Sequence, residues 1–307
     1  MTTEAHERIP AALAGERLDR VVSLVTGLSR AEAAALVAAG DVLVNGAPRT
    51  TRASRVAEGD EVVLRWEPVG EAPPPEPDAA VTLDVVHEDA DVIVIDKPAG
   101  LVVHPGAGNP GGMLVHGLLA RHPEIAGVGD PARPGIVHRL DTETSGLLVV
   151  ARTALAYDEL VAQLAARTVT RRYRALAWGA FDVRAGTVEA PVGRSGRDPT
   201  RMAVTERGKP AVTHYQVERA WTDPVAVTLL RCRLETGRTH QIRVHLQAIG
   251  HAVVGDDRYG GARHSFPVPR LFLHAEVLAF RHPRSGEELA FTSALQADLA
   301  GVLERLG

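Results

Sequence analysis

The spacing of apolar residues changes several times along the 307-residue chain, and each change predicts an element. Between Glu16 and Val25, the positions Leu18, Val21, Val22 and Val25 recur every three or four residues, the stripe of an amphipathic helix that Gly27 ends. Ser29-Arg30-Ala31-Glu32 has the serine-to-glutamate spacing of a capping box and opens a second helix through Ala39, stopped by Gly40. Val42-Leu43-Val44 then runs into Asn45-Gly46, a hairpin turn pair, and Asp60 to Trp66 supplies a further strand. Two helices followed by a small β ribbon predict a unit over 16–67, with an N-terminal tail over 1–15.

From Pro68 to Ala80 the chain is acidic and rich in proline, a semi-extended linker over 68–80. A larger domain over 81–307 follows, beginning at Val81-Thr82-Leu83. Asp91 to Asp96 is a buried strand running into Lys97-Pro98-Ala99-Gly100. Two β-like segments, Ile136-Val137 and Leu147 to Ala151, flank the polar stretch His138 to Gly146. Thr153 caps a helix through Ala166 with Leu155, Leu160, Val161 and Leu164 on its inner side. In the strand Val169 to Trp178, alternation puts Arg171, Tyr173 and Ala175 on one face and Arg172, Arg174 and Leu176 on the other. Arg194 to Pro210 is a basic, Gly- and Pro-rich loop. Thr239 caps a last central helix, which runs to Ile249 with Ile242, Leu246 and Ile249 buried and ends at Gly250.

Composition adds limits. An apolar fraction of 45% and a charged fraction of 23% are those of an ordinary globular protein. No apolar run approaches the roughly 20 residues that span a bilayer. The single cysteine, Cys232, cannot form an internal disulfide and fits a packing role in a reducing cytoplasm. The opening residues carry no apolar signal core, so a cytoplasmic protein is expected. A net charge of −4 does not exclude nucleic acid, because counterion release depends on where arginines cluster. Through Asp78 there are 8 basic and 13 acidic residues, so any basic face in that half is local.

The central stretch His138-Arg139-Leu140-Asp141-Thr142-Glu143-Thr144-Ser145-Gly146 is the candidate for chemistry, a carboxylate and an arginine on a loop between strands. Spacing alone leaves Asp141 equally a solvated turn residue or half of a surface ion pair. Gly106-Ala107-Gly108-Asn109-Pro110-Gly111 matches the dinucleotide fingerprint literally, but Pro110 removes an N–H from the phosphate cradle and no alternating strand-helix units continue. His240 and His245 sit about 140° apart on a helix, which excludes a shared metal. Paired carboxylates at Asp141 and Glu143 would suit a hydrolase. A binding module without catalysis would not need a reactive aspartate.

The run His138 to Arg152 resembles the signature of the RluA/RluD-type pseudouridine synthases, H-R-L-D, two variable residues, then T-S-G-L-L-V-x-A-R. Lys97 to Pro105 resembles that family's first motif, Arg171 to Leu176 its R/K-x-Y-x-A-L element, Gly237 to His245 its G-R-T-H-Q-I-R-V-H motif, and Arg270 to Ala275 its closing R-x-x-L-H-A. The stretch Leu28 to Gly46 is similar to the S-four-type RNA-binding domain. The resemblance implies an RNA pseudouridine synthase with an α+β catalytic domain on a mixed, mainly antiparallel sheet, plus a small N-terminal α/β RNA-binding domain. It implies Asp141 as the reacting carboxylate, Arg243 as its partner and Tyr173 as the residue that stacks on uracil. Arg139, Arg30, Arg49, Arg171 and Arg238 are the expected RNA contacts. No cofactor or metal is needed, because nothing is added and no redox occurs. His138 is expected to make a structural hydrogen bond. The expected partner of this monomer is structured RNA, large-subunit ribosomal RNA ahead of tRNA. Ala294-Leu295-Gln296 departs from the family's P-L-P, at a place expected to lie far from the chemistry.

Overall fold

The computed structural model describes residues 3–26, 28, 30–66, 74–104, 112–196, 198 and 201–307. They form two units, Met1–Pro73 and Pro74–Gly307. The first contains β1 (Thr3–Arg8), α1 (Leu18–Thr26), α2 (Arg30–Ala39), β2 (Val42–Val44), β3 (Ala47–Pro48) and β4 (Glu61–Trp66). Its strands pair antiparallel in the order β1-β4-β2-β3. Asn45 and Gly46 both have positive φ, 52° and 77°, the pair of values that a tight hairpin of this twist requires. Asn45 also holds β4 in place, donating from Nδ2 to Asp60 Oδ1 at 2.8 Å and accepting from Glu61 N at 2.9 Å. Leu18, Val21, Val22, Val37, Val42, Val62 and Leu64 fill the core between helices and sheet.

The described residues of the expected tail over 1–15, from Thr3 on, are built into this unit. Thr3–Arg8 pairs with β4 along its whole length, and Ile9 beyond it is buried. The strand carries no apolar alternation because it is an exposed edge whose stability comes from ladder hydrogen bonds to a partner more than fifty residues away. Ser29 of the capping box and the Gly106 to Gly111 fingerprint lie outside the described residues.

The second unit contains β5 (Val85–Glu88), β6 (Val92–Lys97), α3 (Leu114–Arg121), β7 (Ser145–Ala151), α4 (Ala154–Ala165), β8 (Thr170–Trp178) and β9 (Ala185–Glu189). Then come β10 (Val192–Arg194), β11 (Met202–Val204), β12 (Val212–Trp221), β13 (Val227–Leu234), α5 (Gln241–Ala248), β14 (Leu273–Arg281), β15 (Glu288–Thr292) and α6 (Ala297–Glu304). Among the described residues one sheet runs β5-β6-β7-β14-β8-β13-β12-β9, with β15 also on β14. Only the β7–β14 pairing is parallel, so the fold is α+β on a mixed, mainly antiparallel sheet. In the linker, Asp78 N donates to His116 O, which ties that end to α3.

Two local readings change. Thr153 does cap α4, its Oγ1 accepting from Ala156 N at 3.2 Å, but the helix buries Ala156 and Leu160 while Leu155 and Val161 face solvent. The Arg194 to Pro210 segment contains a strand, β11, which pairs with β10 just before it, rather than loop alone.

One row across the sheet positions the central loop beside β8: Lys97 pairs with Gly146, Gly146 with Ala275, and Ala275 with Tyr173. Gly146 has φ 110°, and a Cβ there would lie 2.3 Å from Ala275 O. Only glycine lets β7 approach β14 at this point. Gly146→Ala is expected to lower stability by at least about 2 kcal/mol in urea unfolding. The control Gly286→Ala, also at positive φ but with open space around it, loses less. Equal losses in the two variants would contradict the close-approach account.

Candidate active site

Asp141 lies on the loop that leads into β7, and two anchors fix that loop. Lys97 is wholly buried, and its Nζ donates to Pro98 O at 2.8 Å, Leu101 O at 2.9 Å and Thr142 O at 3.0 Å. Burial pulls its ammonium down to about 7, against the raising fields of Asp141 and Glu143. Three carbonyl acceptors use all three ammonium protons, so the charged form is the one that completes the anchor. On the other side, Arg270 Nη2 donates to Ser145 Oγ at 3.1 Å, and Ser145 Oγ lies 2.9 Å from His274 Nδ1. Arg270 is held in turn by Gln296 Oε1 at 3.0 Å and by Asp298. Gln296, expected to matter only to a distant turn, is therefore one contact from the central loop.

Helix α5 delivers Arg243. Its Nη1 donates to Asp141 Oδ2 at 3.3 Å, while Nε and Nη2 form a fork on Asp256 Oδ2 and Oδ1 at 2.7 and 2.9 Å. Burial pulls the guanidinium down, but the hydrogen bonds and charge of Asp256, then those of Asp141, drive it well above its ordinary value. Its Cζ also sits 5.0 Å from the centre of the Tyr259 ring. Asp256 is fully buried at its side chain, and its Oδ1 also accepts from Arg258 N and Tyr259 N.

The start of α5 differs from the sequence reading. His240, not Thr239, is the N-cap, at φ 56° in the left-handed region. The first turn is closed by Gln241, whose Oε1 accepts from Arg238 N and Thr236 Oγ1 and whose Nε2 donates to Val212 O. The His240 ring is thereby turned into the site, with Nε2 4.0 Å from Asp141 Oδ2 and Nδ1 2.8 Å from Tyr259 Oη. Tyr259 Oη also accepts from Met202 N at 3.1 Å. Burial keeps His240 low, Asp141 opposing, so the ring is neutral near neutral pH.

A cavity of about 560 Å³ brings Asp141, Tyr173, Arg243, Arg139, Arg171 and Arg238 together. Tyr173 lines it from β8; burial raises its phenol above the ordinary value, and the Asp141 charge adds to that rise while Arg171 opposes it. The hydroxyl is therefore a proton carrier. Arg139 stands exposed at the mouth, its Nη1 3.4 Å from His104 Nε2, and Arg238 Nε donates to Pro210 O. Arg171, expected to contact RNA, lines the cavity but is largely buried in its wall. It is 7% exposed, donates to Glu235 O and lies under Gly237, because the strand alternation that turns Tyr173 inward turns Arg171 inward too. His138 Nε2 accepts from Val149 N at 3.1 Å, and burial pulls its pKa down to about 3, which fits a structural role. Arg49 is exposed in the first unit; the Arg30 side chain lies outside the described residues.

Residues 91–248 match the family described as RNA pseudouridylate synthase. The chain belongs to this family. Residues 16–62 match the S4 domain. The synthase is 42% identical, over 95% of its own chain and 94% of the relative, to the uncharacterized RNA pseudouridine synthase YlyB of Bacillus subtilis. It is 43% identical to the ribosomal large subunit pseudouridine synthase D of Xanthomonas campestris, over 97% of its chain and 91% of that protein. Among solved structures it resembles human RNA pseudouridylate synthase domain containing 1, with a TM-score of 0.58 and 28% identity, covering 74% of this chain and 90% of that one.

The sequence of this synthase gives no role to Asp256, His240 or Tyr259, and places Lys97 only in the family's first motif. A faint signal existed in Gly255-Asp256-Asp257-Arg258-Tyr259-Gly260, a turn bounded by two glycines at positive φ with an aspartate able to accept from its own backbone. Asp256→Asn leaves the Arg243 fork with one acceptor and no opposing charge. We expect turnover to fall by about 100-fold with RNA affinity nearly unchanged, and stability to drop by roughly 3 kcal/mol. Single-turnover kinetics, filter binding and urea unfolding check these; unchanged turnover would contradict the positioning role.

Proposed function

We propose that this RNA pseudouridine synthase isomerises uridines of large-subunit ribosomal RNA and that Asp141, Tyr173 and Arg243 carry the reaction. The observation behind the assignment is the single cavity in which Arg243 Nη1 stands 3.3 Å from Asp141 Oδ2 with Tyr173 in the same wall. Relatives 42 to 44% identical carry the name ribosomal large subunit pseudouridine synthase D, which supports the substrate class.

The isomerisation breaks the bond from ribose C1′ to uracil N1 and makes one from C1′ to C5; the C5 proton leaves and N1 gains one. Asp141 acts as the ionised carboxylate that attacks the fragment or stabilises the oxocarbenium-like sugar. Arg243 opposes the tendency of a carboxylate in a dry pocket to protonate. Tyr173 stacks on the uracil, and its hydroxyl, which keeps its proton, assists as a hydrogen-bond donor during the rearrangement, while the C5 proton leaves to solvent. Arg139, at the mouth, fills the space left when the target base leaves its stack. Arg238 at the cavity, with Arg30 and Arg49 in the N-terminal unit, contacts phosphates. The reading includes a cytoplasmic monomer; Cys232, the single cysteine, is buried and free.

Tritium release from large-subunit ribosomal RNA labelled at uridine C5 tests the proposal. Wild type is expected to release tritium and Asp141→Ala to give none above background. Release by Asp141→Ala at the wild-type rate would overturn the role of the aspartate. Release by wild type from tRNA transcripts alone would overturn the ribosomal substrate.

A further inference from the structure

The solvent face of the sheet opposite Tyr173 carries arginines in cross-strand register. Arg174 of β8 pairs with Arg231 of β13, and two residues along, Arg172 pairs with Arg233. Like charges directly opposite one another on adjacent strands repel unless an anion lies between them. For the first pair the protein supplies that anion. Glu218 contacts both Arg174, at 3.0 Å, and Arg231, and Glu276 stands 3.6 Å from Arg174.

The second pair has no such carboxylate. Among the described residues Arg172 forms no ion pair and its Nε is buried without a hydrogen-bond partner, while Arg233, half exposed, has only Glu235 at 4.0 Å. In place of an acidic side chain there is a groove of about 550 Å³, lined by Arg172, Arg231, Arg233, His214, Gln216 and Thr187 and by no acidic residue. Its size falls in the range of small-ligand sites, and its lining offers only donors or neutral acceptors.

The groove adjoins the catalytic cavity across Glu235, which lines the cavity and contacts a residue of the groove wall. Glu235, at the end of β13, sits 2.6 Å from His214 on the groove side and 2.9 Å from Arg167, and both Arg167 and Glu235 line the cavity that holds Asp141. A strand of RNA leaving the cavity over this rim meets Arg233 and Arg172 next.

We infer that the Arg172–Arg233 groove binds a phosphate of the RNA backbone beyond the uridine held at Asp141, supplying the anion that Glu218 supplies to the neighbouring pair. The inference rests on the proposed function for the identity of the RNA. A guanidinium pair suits it, since arginine takes phosphate in a two-pronged geometry.

The test is filter binding of a large-subunit ribosomal RNA transcript across a salt series, with wild type, Arg172→Gln/Arg233→Gln and Arg172→Lys/Arg233→Lys. The glutamine pair is expected to weaken binding roughly tenfold near 0.15 M salt and to flatten the dependence of log affinity on log salt by about 0.7, one phosphate of single-stranded backbone. The lysine pair restores the slope. Turnover at saturating RNA stays at the wild-type value, with the loss appearing in KM. Unchanged affinity and slope in the glutamine pair would overturn the inference, as would weaker binding with an unaltered slope, which marks a structural defect. Loss of uridine triphosphate binding with intact RNA affinity would also overturn it, because the groove would then serve a small anion. Binding is read without turnover, so these outcomes are distinct from a failure to release tritium.

Discussion

The arrangement of this synthase depends on one guanidinium shared by two carboxylates. Arg243 is buried, and a buried charge is tolerated only when its neighbours replace the water it has lost. Asp256 does most of this, with two short hydrogen bonds and a fully buried side chain, and Asp141 takes one N–H of Nη1 at a longer distance. The asymmetry matters for chemistry. A tight ion pair on Asp141 would hold the carboxylate too firmly to react, whereas a guanidinium anchored elsewhere supplies positive potential while leaving one aspartate oxygen open to the pocket.

Everything around the pair keeps Asp141 within reach of it. Lys97 holds the carbonyl of Thr142, the residue after Asp141, and Gly146 admits β7 into contact with β14, so the loop is pinned at both ends. The same sheet row continues to Tyr173, two strands away from Gly146, roughly 10 Å at ordinary strand spacing. This is why the proposed reacting group sits on a loop yet is held by a sheet. On the outer face of that sheet, the register that turns Tyr173 inward turns Arg172 and Arg174 outward.

Much of this was legible where the physics is local. The Asn45-Gly46 hairpin, the Thr153 cap and the alternation in β8 each follow from residues within a few positions of one another. The motifs placed Asp141, Tyr173 and Arg243, which converge on one cavity. What stayed hidden depends on partners far along the chain. Thr3–Arg8 has no apolar rhythm and becomes a strand only because β4 offers a free edge. Asp256 lies in a turn that belongs to no periodic segment, and its role exists only once α5 brings Arg243 to it. Leu155 and Val161 fit a helical stripe, but α4 rests on the sheet through the narrower line of Ala156 and Leu160. Thr239 has good capping chemistry and lost that position because Gln241 closes the turn from inside the helix, which frees His240 to enter the left-handed region.

Arg243→Lys measures the central claim most directly. Lysine keeps a positive charge but is a single point donor that cannot fork onto Asp256 while reaching Asp141. If the shared, anchored guanidinium is what matters, single-turnover tritium release from the variant falls by at least about 100-fold while RNA affinity stays within a few-fold of wild type. Release within a few-fold of wild type would show that charge alone suffices and would contradict the account.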